Sequence, residues 1–170
     1  FSKGDVTNTE DWTKALKDID IVVHLAALTG TGQSMYQINQ YINTNIDGTA
    51  NMFDLITDKK LPIKKIILAS SRAIYGEGKY ECKIHGFVYP DERNEEDLSN
   101  GNFDPKCPVC HGDIKILPTD ESSELKPTSI YGITKQVQEQ IISVCGKSLK
   151  IPTVALRFQN VYGPGQSLKN

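Results

Sequence analysis

No apolar run in the sequence approaches the ~20 residues needed to cross a bilayer, so nothing in it reads as a membrane-spanning helix. No excess of one charge is present: 19 Lys and Arg against 21 Asp and Glu leave a formal net charge of −2. That balance offers no electrostatic reason to expect nucleic acid or an anionic membrane as partner. No signal peptide is legible, since Phe1 opens the sequence and Lys3, Asp5 and Glu10 follow closely. No internal repeat or low-complexity tract appears. The expectation is a soluble cytoplasmic chain, the middle section of a longer protein, with 38% hydrophobic and 24% charged residues.

What is present alternates between two periodicities. A lead-in and helix occupy 3–20, with Asn8 or Thr9 as N-cap and Trp12, Ala15 and Leu16 on one face. The apolar run at 21–26 has strand length and the composition of a strand covered on both faces. A helix is expected over 41–58, with Ile42, Ile46, Ala50, Phe53 and Leu55 on its apolar side. A second buried strand follows at 65–70, a third helix at 127–146 and a third strand at 153–156. This rhythm predicts an α/β fold with a parallel sheet wrapped on both faces. Residues 76–117 break it, being rich in Gly, Pro, Asp, Asn and Cys, and read as an insertion between the segments 1–75 and 118–170.

The strongest chemical signal is Tyr131-Gly132-Ile133-Thr134-Lys135, which sets a phenol and an ammonium on one helical face at i and i+4. A tyrosine, with a pKa of about 10, is too weak an acid to ionise at neutral pH unaided. An ammonium nearby stabilises the phenolate and makes it a usable general base. Ser70 and Ser71 end the second strand, at the edge where open α/β sheets bind ligands. A hydroxyl there can hold a substrate oxygen while the tyrosine takes its proton.

In this arrangement the sequence resembles the extended short-chain dehydrogenase/reductases, specifically the NAD-dependent epimerase/dehydratase family. The resemblance runs through six motifs in order: Gly4-Asp5-Val6, His24-Leu25-Ala26-Ala27, Asn45 to Thr49, Ser70-Ser71 with Ile74-Tyr75-Gly76, the Tyr131/Lys135 pair, and Leu156 to Pro164. It implies a Rossmann-type sheet and NAD as cofactor. The cofactor would be contacted by Asp5, Val6, Leu25, Ala26, Ala27, Asn45, Ala69, Ser70, Tyr131 and Lys135. It implies Ser71, Tyr131 and Lys135 as catalytic residues, with Ser71 and Asn160 also binding a nucleotide-diphosphate sugar. A homodimer through a four-helix contact of 41–58 and 127–145 is implied as well. The family's G-x-x-G-x-x-G phosphate turn has no counterpart here, so this chain alone is expected to bind NAD poorly and to be inactive. Gln159 stands where an aromatic is common, and Gly165 where Arg is common.

The family's dehydratases carry Asp-Glu directly after the catalytic hydroxyl residue, whereas this sequence has Arg72-Ala73. The resemblance therefore implies 4-epimerisation through a 4-keto sugar with recycled NAD. A dehydrogenase or reductase using the same residues, or a non-catalytic scaffold, remains an alternative. Two knuckle-like pairs, Cys82-x-x-His85 and Cys107-x-x-Cys110, each closely followed by glycine, have the spacing of a closed tetrahedral Zn²⁺ site. Metal would also order a core-poor insertion. His111 could take the place of His85, although the symmetry of the pairs favours His85. Cys145, standing apart, reads as an indifferent thiol. A zinc-ribbon-like insertion after Ser70-Ser71-Arg72-Ala73-Ile74-Tyr75-Gly76-Glu77-Gly78 looks most like the dTDP-L-rhamnose 4-epimerase branch.

Overall fold

The computed structural model describes residues 1–166; the last four positions of the segment expected at 118–170 lie outside the described residues. The first helix, α1 (Thr9–Ala15), is capped by Asn8, whose side-chain oxygen accepts from the amides of Glu10 and Asp11 at 2.8 and 3.3 Å. Strand β1 (Ile21–His24) leads through a loop into two short helical turns, α2 (Thr31–Ser34) and α3 (Ile38–Tyr41). A π-helical turn, Ile42–Asp47, then joins α3 to α4 (Gly48–Asp58). After β2 (Lys65–Ser71) comes a 3₁₀ turn, Arg72–Tyr75, and later the long helix α6 (Ile130–Leu149) and strand β6 (Thr153–Phe158). Between them lie β3 (Tyr80–Cys82), β4 (Gly86–Val88), α5 (Glu95–Ser99) and β5 (Ile114–Ile116).

The first sheet is parallel in the order β1-β2-β6, in register from Ile21 opposite Lys65 and from Ile66 opposite Thr153. Helices α1, α4 and α6 share one apolar core with its inner face, built on Trp12, Met52, Phe53, Ile66, Leu68 and Ile142. The expected coverage on both faces is corrected here. Ile21, Val23, Val154, Leu156 and Phe158 on the other face are exposed, because α1, α4 and α6 all lie on the inner side. The apolar runs therefore show up as alternate burial rather than full burial.

A second difference concerns the helix expected at 41–58. The π turn adds a residue to one turn and shifts the phase of everything before α4. Ile42 faces outward and Ile46 and Ala50 are half-buried, while Phe53 and Leu55 are buried as expected, joined by Tyr41, Asn45, Thr49, Met52 and Ile56. Helix α6 begins three residues after Pro127, where the Ser129 hydroxyl accepts the Gly132 amide at 3.0 Å as N-cap. It runs on to Leu149, beyond Gly146, which seats closely on Thr153.

The 76–117 stretch carries its own antiparallel sheet, in the order β4-β3-β5, over a small core of Tyr80, Cys82, Val88 and Cys107. No described helix is long and apolar enough to cross a membrane.

His24 sits in the main core with its ring edge-on to Trp12. Thr49 has one hydroxyl proton and gives it to the Asn45 carbonyl at 2.7 Å, so it accepts from both His24 Nε2 at 3.0 Å and Gln138 Nε2 at 2.7 Å. His24 is thus the neutral Nε2–H tautomer. Burial, aided by the Lys135 charge, lowers its pKa from 6.5 to about 4. Between those values the unfolded chain binds a proton that the folded chain refuses, so stability falls as pH drops from 6.5 towards 4. Urea titrations should show this group costing up to about 3 kcal/mol across that window, and His24→Gln should flatten the acid limb.

Candidate active site

Four chain segments meet the N-terminal end of α6 at the C-terminal edge of the parallel sheet. They enclose a cleft of about 680 Å³ lined by Ser71, Arg72 and Ala73 after β2, by Tyr131 on α6, by Thr29 to Gly32 after β1, and by Asn160 after β6. Glu77, Glu92 and Arg93 close it from the 76–117 stretch. The edge of a parallel sheet is where strand ends diverge and leave room for a ligand.

Close approach at this edge depends on two glycines. A Cβ on Gly132 would lie 2.6 Å from the Ala73 carbonyl oxygen, so only glycine lets α6 rest on the 3₁₀ turn. Gly76 has φ +61°, and a Cβ there would meet the Lys126 carbonyl oxygen at 2.2 Å. The Ser71 hydroxyl, an acceptor from the Ala73 amide at 3.1 Å, caps the turn while lining the cleft.

Lys135 lies behind Tyr131, only 2% exposed, with Nζ 6.0 Å from the Tyr131 ring centroid. It donates to the Ala69 carbonyl at 2.8 Å. Loss of water around the ammonium lowers its pKa from 10.5 to about 8. The Ser70 hydroxyl is buried near the end of β2 with no hydrogen-bond partner among the described residues.

Helix α6 is held in place by polar contacts. Asn45, in the π turn, donates through Nδ2 to Thr134 Oγ1 at 2.9 Å and to the Leu28 carbonyl at 3.1 Å, and accepts the Leu28 amide at 2.8 Å. Thr134 passes its proton to the Tyr131 carbonyl at 2.9 Å. The Ser34 hydroxyl accepts the Tyr131 amide at 3.0 Å, and the Tyr41 ring stands edge-on to Tyr131 with centroids 6.5 Å apart. Ser34, Tyr41, Thr134 and Gln138 went unnoticed in the sequence. A signal existed: residues 131, 134, 135 and 138 form a polar stripe at i, i+3, i+4 and i+7, facing inward where a helix normally presents apolar side chains.

The structure separates some sequence-chosen residues. Ser71, Tyr131 and Asn160 share the cleft, with Lys135, Ser70 and Ala69 directly behind it. Leu25 and Ala26 are exposed just past β1, and Ala27 is half-buried. Asp5 and Val6 line a different, smaller hollow of about 190 Å³ beside Trp12. There, hydrogen bonds from the Thr7 amide and hydroxyl hold the Asp5 carboxylate below its usual pKa.

In the second sheet, the side-chain donor atoms of Cys82, His85, Cys107 and Cys110 all lie within 4.8 Å of one another. Cys82 Sγ is 3.7 Å from Cys110 Sγ and 3.5 Å from His85 Nδ1, which is also 3.5 Å from Cys107 Sγ. A tetrahedron of sulfurs ~2.3 Å from a metal has edges of about 3.8 Å, so these spacings fit one ion. Amides of Ile84 and His85 lower the Cys82 pKa, and those of Cys110 and Val109 that of Cys107, favouring thiolates at these two, whereas burial and the neighbouring sulfurs raise that of Cys110. His111 lies outside the cluster.

A sequence profile of the NAD dependent epimerase/dehydratase family matches residues 1–108 and 109–170. The chain belongs to that family, whose solved members share its Rossmann-type α/β fold. Among individual proteins, it is 38% identical over 169 residues to the dTDP-L-rhamnose 4-epimerase of Burkholderia thailandensis, covering 98% of this chain and 45% of that one. A UDP-N-acetylglucosamine 4-epimerase from Methanobrevibacter ruminantium, solved with UDP-N-acetylmuramic acid, superposes with a TM-score of 0.70 at 30% identity, over 99% of this chain and 42% of that one. A UDP-glucuronic acid 4-epimerase from Bacillus cereus, solved with UDP-glucuronic acid and NAD, gives 0.66 at 28%, over 96% and 40%. The chain spans less than half the length of each of these relatives.

Because Asn45 is fully buried and satisfies three separate groups, Asn45→Ala orphans them together. Chemical unfolding should record a loss of about 3 kcal/mol, with the far-ultraviolet helix signal retained.

Proposed function

We propose that the whole protein is an NAD-dependent nucleotide-sugar 4-epimerase, with dTDP-L-rhamnose as the leading substrate. The observation that carries the reading is the convergence of Ser71 and Tyr131 on one cleft, with the buried Lys135 ammonium behind the phenol. The identity to the Burkholderia thailandensis enzyme supports the choice of sugar nucleotide.

In this reading Ser71 holds the sugar O4 by hydrogen bond, and Tyr131 takes the O4 proton as general base. Lys135 stabilises the charge that then sits on the phenol oxygen, through a field strengthened by its burial. NAD would supply the redox chemistry at C4, as a hydride carrier for oxidation to the 4-keto sugar and for its re-reduction from the opposite face. Tyr131 gives the proton back on the return. Asn160, which lines the same cleft, would bind the diphosphate. Arg72 and Ala73 flank Ser71 in the cleft, so the two positions that a 4,6-dehydratase fills with acids offer none.

The nicotinamide end of NAD fits the donors here: Tyr131, Lys135 with two N–H groups to spare, and the orphaned Ser70 hydroxyl. Asn45 and Ala69 would back this end, Leu25, Ala26 and Ala27 would flank the middle of the cofactor, and Asp5 and Val6 would take the adenine. A glycine-rich pyrophosphate turn is not in the sequence, and residues 1–170 alone should bind NAD weakly and not turn over. We divide the chain into a dinucleotide-binding domain, 1–75 with 118–170, and an insertion at 76–117 held by a structural zinc on Cys82, His85, Cys107 and Cys110. Pairing of subunits through the α4 and α6 region is supported by Ile42, Ile133 and Val144, all exposed there. A cytoplasmic site of action completes the proposal.

In the whole enzyme, Tyr131→Phe should cut kcat by at least about a hundredfold while leaving the melting temperature unchanged. Undiminished turnover would refute the assignment. Zinc is tested by elemental analysis: Cys107→Ser and Cys110→Ser should each lower the metal content from near stoichiometric towards zero, and unchanged content removes those ligands from the proposal.

A further inference from the structure

The inserted stretch does more than decorate the edge of the cleft: Glu77, Glu92 and Arg93 all line it together with Ser71 and Tyr131. Arg93 is fastened there on two sides. Its Nη2 donates to Glu77 Oε2 at 2.6 Å and its Nη1 to the Phe103 carbonyl at 3.3 Å. The backbone just before it is tied to the entry of the catalytic helix, since Lys126 Nζ reaches Asp91 Oδ1 at 2.6 Å and the Tyr89 carbonyl at 3.0 Å. Side-chain exposures of 36% for Arg93 and 19% for Glu77 leave both reachable from the cleft.

We propose that the Glu77–Arg93 pair reads the hydroxyls of the sugar ring, making the insertion the sugar-selecting wall of the site. The inference rests on the epimerase reading and names what selects its substrate. A guanidinium carries five N–H donors, and among the described residues two of its nitrogens are engaged here. Among the same residues Glu77 Oε1 has no donor and is open as an acceptor. An adjacent donor and acceptor match vicinal hydroxyls, each of which can give and take a hydrogen bond. The diphosphate is a poorer match. The pair is neutral overall, and the carboxylates of Glu77 and Glu92 would repel a dianion at this wall. Asn160 and the unpaired Arg72, among the described residues, face the same cleft and suit the phosphates better.

The test uses the whole enzyme and its variants Arg93→Met and Glu77→Gln. It measures turnover of dTDP-L-rhamnose, UDP-glucose and UDP-N-acetylglucosamine, and calorimetric binding of each sugar nucleotide against dTDP or UDP alone. Each variant should raise KM for the preferred sugar nucleotide by about tenfold, as expected when a polar site loses one partner, with kcat within about twofold. Affinity for the bare nucleotide and the amount of bound NAD should not change. A KM within about twofold of wild type overturns the proposal. An equal loss of affinity for the bare nucleotide also overturns it, by placing the pair on the diphosphate. Glu77→Gln keeps shape and volume, so it decides the matter if Arg93→Met melts early. Should the wild type bind these sugar nucleotides without epimerising them, the catalytic reading fails while the binding comparison still judges the pair. Should it bind none, both fall.

Discussion

An ammonium buried behind a phenol is the constraint around which the rest of the molecule is arranged. Lys135 is almost completely enclosed and has the Ala69 carbonyl as its hydrogen-bond acceptor. Such a charge is costly to remove from water, and its pKa drops to about 8 as a result. A fold keeps a group of this kind only when its surroundings leave it nowhere else to go. The surroundings here are rigid ones: the end of β2 on one side and a polar lattice through Asn45, Thr134, Thr49 and Gln138 on the other. Burial, aided by the Lys135 charge itself, keeps His24 neutral, so no second positive charge competes with the lysine.

That lattice also sets where Tyr131 can be. Its amide is held by Ser34, its carbonyl by Thr134, and its ring by the edge of Tyr41. Gly132 beside it permits the helix to touch the 3₁₀ turn that carries Ser71 into the cleft. Fixing the backbone at two points and the ring at a third places the phenol, which is the preorganisation that proton transfer requires. Arg157 extends the scaffold outward, bridging Glu139 on α6 to Tyr75 at the end of the turn.

The 76–117 stretch is built by different means. Its core is four side chains beneath three short strands. Three sulfurs and one imidazole converge there, apart from the parallel sheet. The stretch reaches the cleft through Glu77, Glu92 and Arg93, so order at the Cys/His cluster and order at the cleft wall belong to one small unit.

Much of this was readable from residue order alone. Local spacing carried the Tyr131/Lys135 pair, the two Cys/His knuckles, a cap at Asn8 or Thr9 and the alternation of strands with helices, because each depends on residues within a few positions of one another. Three things were not readable. The π turn at Ile42–Asp47 rotates Ile42 outward and Asn45 inward, and no periodicity of 3.6 can foresee an added residue. Sheet strands rich in Val and Ile announce two apolar faces but not which one the helices of this chain will cover. Contacts such as Asn45 to Thr134, 89 residues apart, and Arg93 to Glu77 across the cleft rim exist only once the chain has closed on itself. Sequence by itself determined which chemistry the chain carries, since side-chain type and short-range geometry are local properties. Tertiary structure alone decided which of those groups face one another, because that depends on how distant segments pack.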